Sequence, residues 1–150
     1  VKRIAAILFA ATALSPFALH AQNRGAGAVN PSDPAVKAAI DDAGQAAKAW
    51  LGLFDTANFD ACWTGLAPVV KDQVGKDAFN ASLAAVREQY GAAKVRHASK
   101  VTFTHKLPGA PDGDYVVLQY ETDFTKAHAV ETVVPMRTAD GWKISGYFVR

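Results

Sequence analysis

From Pro34 onward, apolar residues recur at helical spacing: Val36, Ile40, Ala43, Ala47, Trp50, Leu51 and Phe54. That spacing predicts one amphipathic helix with a wide apolar stripe. Ser32 or Asp33 is placed to cap it, with Pro34 at the first helical position, where a missing N–H costs nothing. Asp55-Thr56-Ala57-Asn58 interrupts the pattern. A short helical piece carrying Phe59 and Trp63 follows, and another begins after Pro68. Beyond Gly75, the residues Phe79, Leu83, Val86 and Tyr90 step by three and four, as in a last helix that Gly91 terminates.

After Gly91 the period falls to two. Val95, His97, Ser99, Val101, Phe103 and His105 share one face of a strand, against Arg96, Lys100, Thr102, Thr104 and Lys106 on the other. A second strand sets Val116, Leu118, Tyr120, Thr122 and Phe124 against Tyr115, Val117, Gln119, Glu121 and Asp123. Two more strands, about His128 to Thr138 and Trp142 to Val149, meet at Ala139-Asp140-Gly141, where Asp-Gly is a strong hairpin signal. If Lys106 faces Tyr115, Phe124 faces Val130 and Thr138 faces Trp142, the apolar sets coincide on one side. That side then carries Phe103, Leu118, Tyr120, Val134, Met136, Trp142, Ile144 and Phe148. The prediction is an α+β domain, with N-terminal helices packed on one face of a four-stranded antiparallel meander.

Ahead of this domain, Lys2 and Arg3 precede an apolar run from Ile4 to Leu14, broken by Pro16 and followed by Ala21. The order of basic head, short apolar run and small residue is that of a secretory signal peptide, too short for a membrane span. The chain divides into a signal peptide over 1–21, a flexible leader over 22–32 and a single domain over 33–150, located in the periplasm or secreted. Cleavage removes Lys2 and Arg3, so the net charge of +2 falls to about zero and the remaining basic residues equal the 14 acidic ones. Without a basic stripe, nucleic acid is a poor partner. After cleavage nothing apolar enough to span a membrane remains. The lone Cys62 rules out an intramolecular disulfide and reads as a small core residue.

The stretch LPGAPDG lacks phosphate-loop spacing, and a strand rather than a helix follows it. Pro108 and Pro111 remove two N–H donors, so it reads as a proline-stiffened hairpin turn. His97 and His105 are eight residues apart on a strand, about 26 Å, and cannot share one metal ion. No metal or cofactor is indicated. In the register above, His97, Ser99, Tyr120, Thr122 and Thr132 gather on the inward face as pocket candidates. Glu121, Asp123 and Glu131 fall outward, Asp123 facing Glu131 and Lys100 facing Glu121, and read as a solvated, salt-linked surface. An apolar patch of Tyr115, Val117, Val133, Pro135, Tyr147 and Val149 interrupts that outer face. Within it Tyr115, Val117, Val133 and Tyr147 are the candidates for a homodimer or partner interface.

Several of these blocks together resemble a known family. They are Trp50-Leu51, Asp55 before Phe59 and Trp63, Arg87, Gly91, LPGAPDGDYVVL, Phe124, Glu131-Thr132-Val133 and GWKISGYFVR. The family is that of exported bacterial proteins described as domain of unknown function 4019, and the resemblance runs from about Ala46 to Arg150. Phe79 departs from it, where the family tends to have Trp, a conservative packing change. The resemblance implies a curved, cone-like sheet wrapped on helices, of the nuclear-transport-factor-2-like or cystatin-like kind. It implies no activity, cofactor or catalytic residue.

The first reading is therefore a non-enzymatic envelope module that binds a small ligand or a protein. One alternative is an isomerase- or dehydratase-like enzyme using His97 and Tyr120 for acid-base work, on fold analogy alone. Another is an envelope accessory domain acting through the outer sheet face.

Overall fold

The computed structural model describes residues 29–150 together with the backbone of Ala6–Ile7. Apart from that dipeptide, the segment read as a signal peptide lies outside the described residues, as does most of the leader. Helix α1 spans Pro34–Asp55. It starts where Asp33 accepts the N–H of Ala35 at 2.8 Å, and Pro34 opens the first turn. It ends where the Thr56 hydroxyl bonds back to the carbonyls of Gly52 and Leu53 and Ala57 turns left-handed at φ 57°. Helix α2, Phe59–Thr64, is capped by Asn58, which accepts from the Ala61 N–H. Helix α3 is the single turn Pro68–Lys71, and α4 runs over Lys76–Tyr90.

Gly91 stops α4 at φ +83°, and a Cβ there would lie 1.9 Å from the Thr125 hydroxyl oxygen. That close approach ties the helix end to the sheet. Thr125 accepts from the Ala92 N–H through its hydroxyl and donates its own N–H to the Ala92 carbonyl, while Lys126 N–H reaches the Tyr90 carbonyl. Only glycine meets both the backbone and the space requirement.

The strands are β1 (Ala6–Ile7), β2 (Ala93–Thr104), β3 (Tyr115–Phe124), β4 (His128–Thr138) and β5 (Gly141–Val149). The last four form an open antiparallel meander, and β1 lies along the outer edge of β5, opposite Phe148 and Tyr147. Apart from the dipeptide β1, helices come first and strands after, with the core between them, so the fold is α+β as the patterning predicts. Trp50 and Phe54 from α1 pack their rings on Tyr147, each 5.1 Å centroid to centroid. Phe79, Leu83 and Val86 of α4 join Val116, Leu118, Val133, Ile144 and Val149 of the sheet. Each such buried side chain contributes about 1.5–3 kcal/mol, enough to seat both helices without strong intrinsic propensity.

The strand registers differ from the sequence expectation, with large consequences. Thr104, not Lys106, lies opposite Tyr115, and a bulge between Ala98 and Lys100 shifts the pairing again. Past that bulge Arg96 pairs with Thr122 on the helix side, while His97 pairs with Glu121 on the outer side. The β3–β4 connection is tight, with Asp123 opposite His128 and the Phe124 N–H bonded to the Ala127 carbonyl. Val130 therefore faces Glu121 rather than Phe124, an odd displacement that turns β4 over. Glu131 and Val133 point inward, and Thr132, Val134 and Met136 point outward. In β5 an irregularity at Val134/Pro135 leaves Ser145 unpaired. Trp142 and Ile144 keep the predicted side, but Tyr147 and Val149 turn inward and Phe148 outward.

Candidate functional site

Behind α1, the sheet carries a buried polar cluster built by those shifts. Glu131 is fully buried on the central strand β4. Its Oε1 accepts from the Tyr147 hydroxyl at 2.7 Å and from Arg96 Nη2 at 3.2 Å. Its Oε2 accepts from the Thr122 hydroxyl at 3.1 Å and from Arg96 Nε. The guanidinium also grips Asp55, in the last turn of α1, through two bonds of 2.7 Å. Arg87 of α4 donates to the Phe54 carbonyl at 3.1 Å and holds the same helix end.

Burial works against the Arg96 charge, but the bonds to Asp55 and Glu131 and their charges outweigh it, so the guanidinium is held ionised. The Tyr147 phenol is pushed well above its usual range by burial first and by the Glu131 charge second. Tyr120 is raised by the same two causes in the same order. Each Glu131 oxygen already carries two bonds, about the capacity of a carboxylate. The cluster locks a helix to a sheet, and Glu131 at its centre has no free lone pair with which to take a proton from a substrate.

The five pocket candidates do not meet. His97 and Ser99 are exposed, and Ser99, at the bulge, donates to the Gln119 carbonyl at 3.2 Å. Thr122 is buried and committed to Glu131. Tyr120 is half-buried on the inner face, with Glu131 as its cross-strand neighbour. Thr132 is buried on the opposite face, its hydroxyl without a partner among the described residues. His97 and Tyr120 stand on opposite faces, so they form no acid-base pair.

Of the interface candidates, Tyr115 and Val117 lie on the outer face, but Tyr115 is only 1% exposed and offers no surface, while Val117 is half-buried. Val133 and Tyr147 are core residues, 0% and 3% exposed, and offer no outer surface. The outward carboxylates are also redistributed. Asp123 and Glu121 both bind His128, at 2.7 Å to Nδ1 and 3.0 Å to Nε2, Lys100 lies opposite Gln119, and Glu131 has left that face. Among the described residues no group of three or more His, Cys, Asp or Glu is arranged to hold a metal ion, and no helix is long and apolar enough to cross a membrane.

The concavity lies on the outer face, where the sequence places none. A groove of about 280 Å³ crosses the sheet between α3 and the LPGAP turn. Its floor is Val117, Val134, Met136, Gly146 and Phe148, three of which the alternation had assigned to the core. Val69, Val70 and Gln73 form one wall and residues 107–111 the other. The Tyr115 hydroxyl donates to the Pro111 carbonyl at 2.7 Å and pins the turn to the sheet. The turn is thus a wall of the groove, with Gly109 at φ +77° making its bend.

Residues 46–147 match the family described as "Protein of unknown function (DUF4019)". The chain belongs to that family. No curated protein and no solved structure matches the chain. Asp55, Arg96, Thr122, Glu131 and Tyr147 all fall within the DUF4019 span, and so does the groove lining apart from Phe148. Sequence reasoning missed Arg96 and Glu131 as a pair. The available signal was a single carboxylate inside the otherwise uncharged stretch AVETVVPM.

Proposed function

We propose that this protein is a non-enzymatic binding module, exported from the cytoplasm, that acts through the outer face of its sheet. The observation carrying this reading is the groove walled by α3 and the LPGAP turn, an apolar concavity of the kind that receives ligands. Two further facts support it. On the inner face Arg96, Thr122, Glu131 and Tyr147 are engaged with one another, and the histidine and tyrosine considered for acid-base work lie on opposite faces. Export rests on the basic, apolar and small-residue order at the start of the chain.

A thermal-shift screen of small molecules tests the proposal, run in parallel on the wild type, Val117→Asp and Thr122→Val. Ligands should stabilise the wild type and Thr122→Val, lose their effect on Val117→Asp, and be recovered chemically unchanged. Stabilisation that survives Val117→Asp but is lost in Thr122→Val would place binding on the inner face and defeat the reading, as would conversion of the ligand.

A further inference from the structure

We infer that the outer-face groove takes an uncharged ligand of about ten non-hydrogen atoms, apolar along its body and carrying one neutral hydrogen-bonding group. The size follows from the volume: at about 30 Å³ per water molecule, 280 Å³ is the space of roughly nine or ten such atoms. The absence of charge follows from the lining, which contains no Asp, Glu, Lys, Arg or His among the described residues. An ion seated there would lose hydration and meet no counter-charge.

The neutral polar group follows from what the lining leaves open. The Ser145 hydroxyl donates its one proton to the Val134 carbonyl at 2.9 Å and the Tyr115 hydroxyl donates its own to Pro111, so neither remains a donor. Gln73, exposed in the turn that follows α3, has no bonded partner for its side-chain amide among the described residues. It can donate to or accept from one hydroxyl or carbonyl at the rim. Gly146 makes the depth. A Cβ there would sit 3.5 Å from the Phe148 ring and from Val134, ordinary contact, so a side chain fits the fold but fills the floor.

This inference rests on the binding reading above and names the ligand class for the same site. Met136 is the single methionine of the chain and lies in the groove floor, so its methyl group is a one-signal reporter. Protein labelled with ¹³C at that methyl is titrated with octan-1-ol and, separately, with octanoate. Octan-1-ol should shift the signal saturably, and octanoate should bind at least tenfold more weakly. Gly146→Val should weaken octan-1-ol binding at least tenfold, and Gly146→Ala about threefold, with the amide spectrum otherwise preserved. The inference is overturned if octan-1-ol produces no saturable shift, if octanoate binds as well, or if both Gly146 variants bind normally. A charged ligand whose binding depends on Val117 would overturn this inference and leave the binding module standing. If no ligand depends on Val117, both fall.

Discussion

Replacing Arg96 by methionine tests whether the inner cluster is the lock that the geometry describes. The substitution keeps much of the apolar stem and removes the cation paired with a fully buried carboxylate. Glu131 keeps the hydroxyls of Tyr147 and Thr122 but loses two charge-assisted bonds. Asp55, about one-third exposed, can turn to water and adds little. Stranding one member of a buried ion pair costs about 3–5 kcal/mol. Against a total stability of roughly 5–15 kcal/mol that is a large fraction. At roughly 4 °C per kcal/mol for a domain of this size, the midpoint should fall by about 12–20 °C.

Urea titration at pH 7 measures the loss, with an unchanged slope showing that the denatured state is the same. Pairing Arg96→Met with Glu131→Gln removes the stranded charge and should recover at least about 2 kcal/mol relative to additivity. A loss below about 1 kcal/mol in the single variant, or strict additivity in the double, would refute the coupling.

Gly91→Ala should cost roughly 2–4 kcal/mol in denaturant titrations, combining left-handed backbone strain with the encounter at Thr125. Gly109→Ala shares the strain but meets open space, and should cost only about 1–2 kcal/mol; equal losses would remove the steric argument. Burial, aided by the Asp55 charge, pushes the Cys62 thiol up to about 12, so a thiol reagent at pH 8 should label it only as fast as the protein unfolds. Rapid stoichiometric labelling of the native protein would contradict this. Hydrogen bonds to Asp123 first and Glu121 second raise His128, so its imidazole proton signal should titrate above the ordinary value of about 6.5. Because the folded value is the higher one, the linked stability is present below the unfolded pKa and is lost as pH rises through the folded one. Asp123→Asn with Glu121→Gln should bring the midpoint back down; an unmoved midpoint would sink the assignment.

The helices and their ends were legible in the sequence because each signal is local. A 3.6-residue apolar period, Asp33 before Pro34 and Gly91 after Tyr90 act within a few residues of where they stand. The Asp-Gly hairpin and the four strand segments were legible for the same reason, and so was the α+β class that follows from their order. Which face each side chain of the sheet occupies was not. With a period of two, an odd displacement exchanges core and surface, and the tight turn after Phe124 displaces β4 by an odd number. Two irregularities, at Ser99 and Ser145, repeat the exchange inside β2 and β5. Strand β4 gave little warning, since it is buried over most of its length and its apolar run barely alternates.

Tertiary structure alone therefore decided that Arg96 reaches inward to Glu131, that Tyr147 and Val133 are core, and that Val134, Met136 and Phe148 floor a groove. The physical reason is that strand pairing is a long-range choice. It is made by how well whole faces pack against the helices, and no short window of sequence contains both partners.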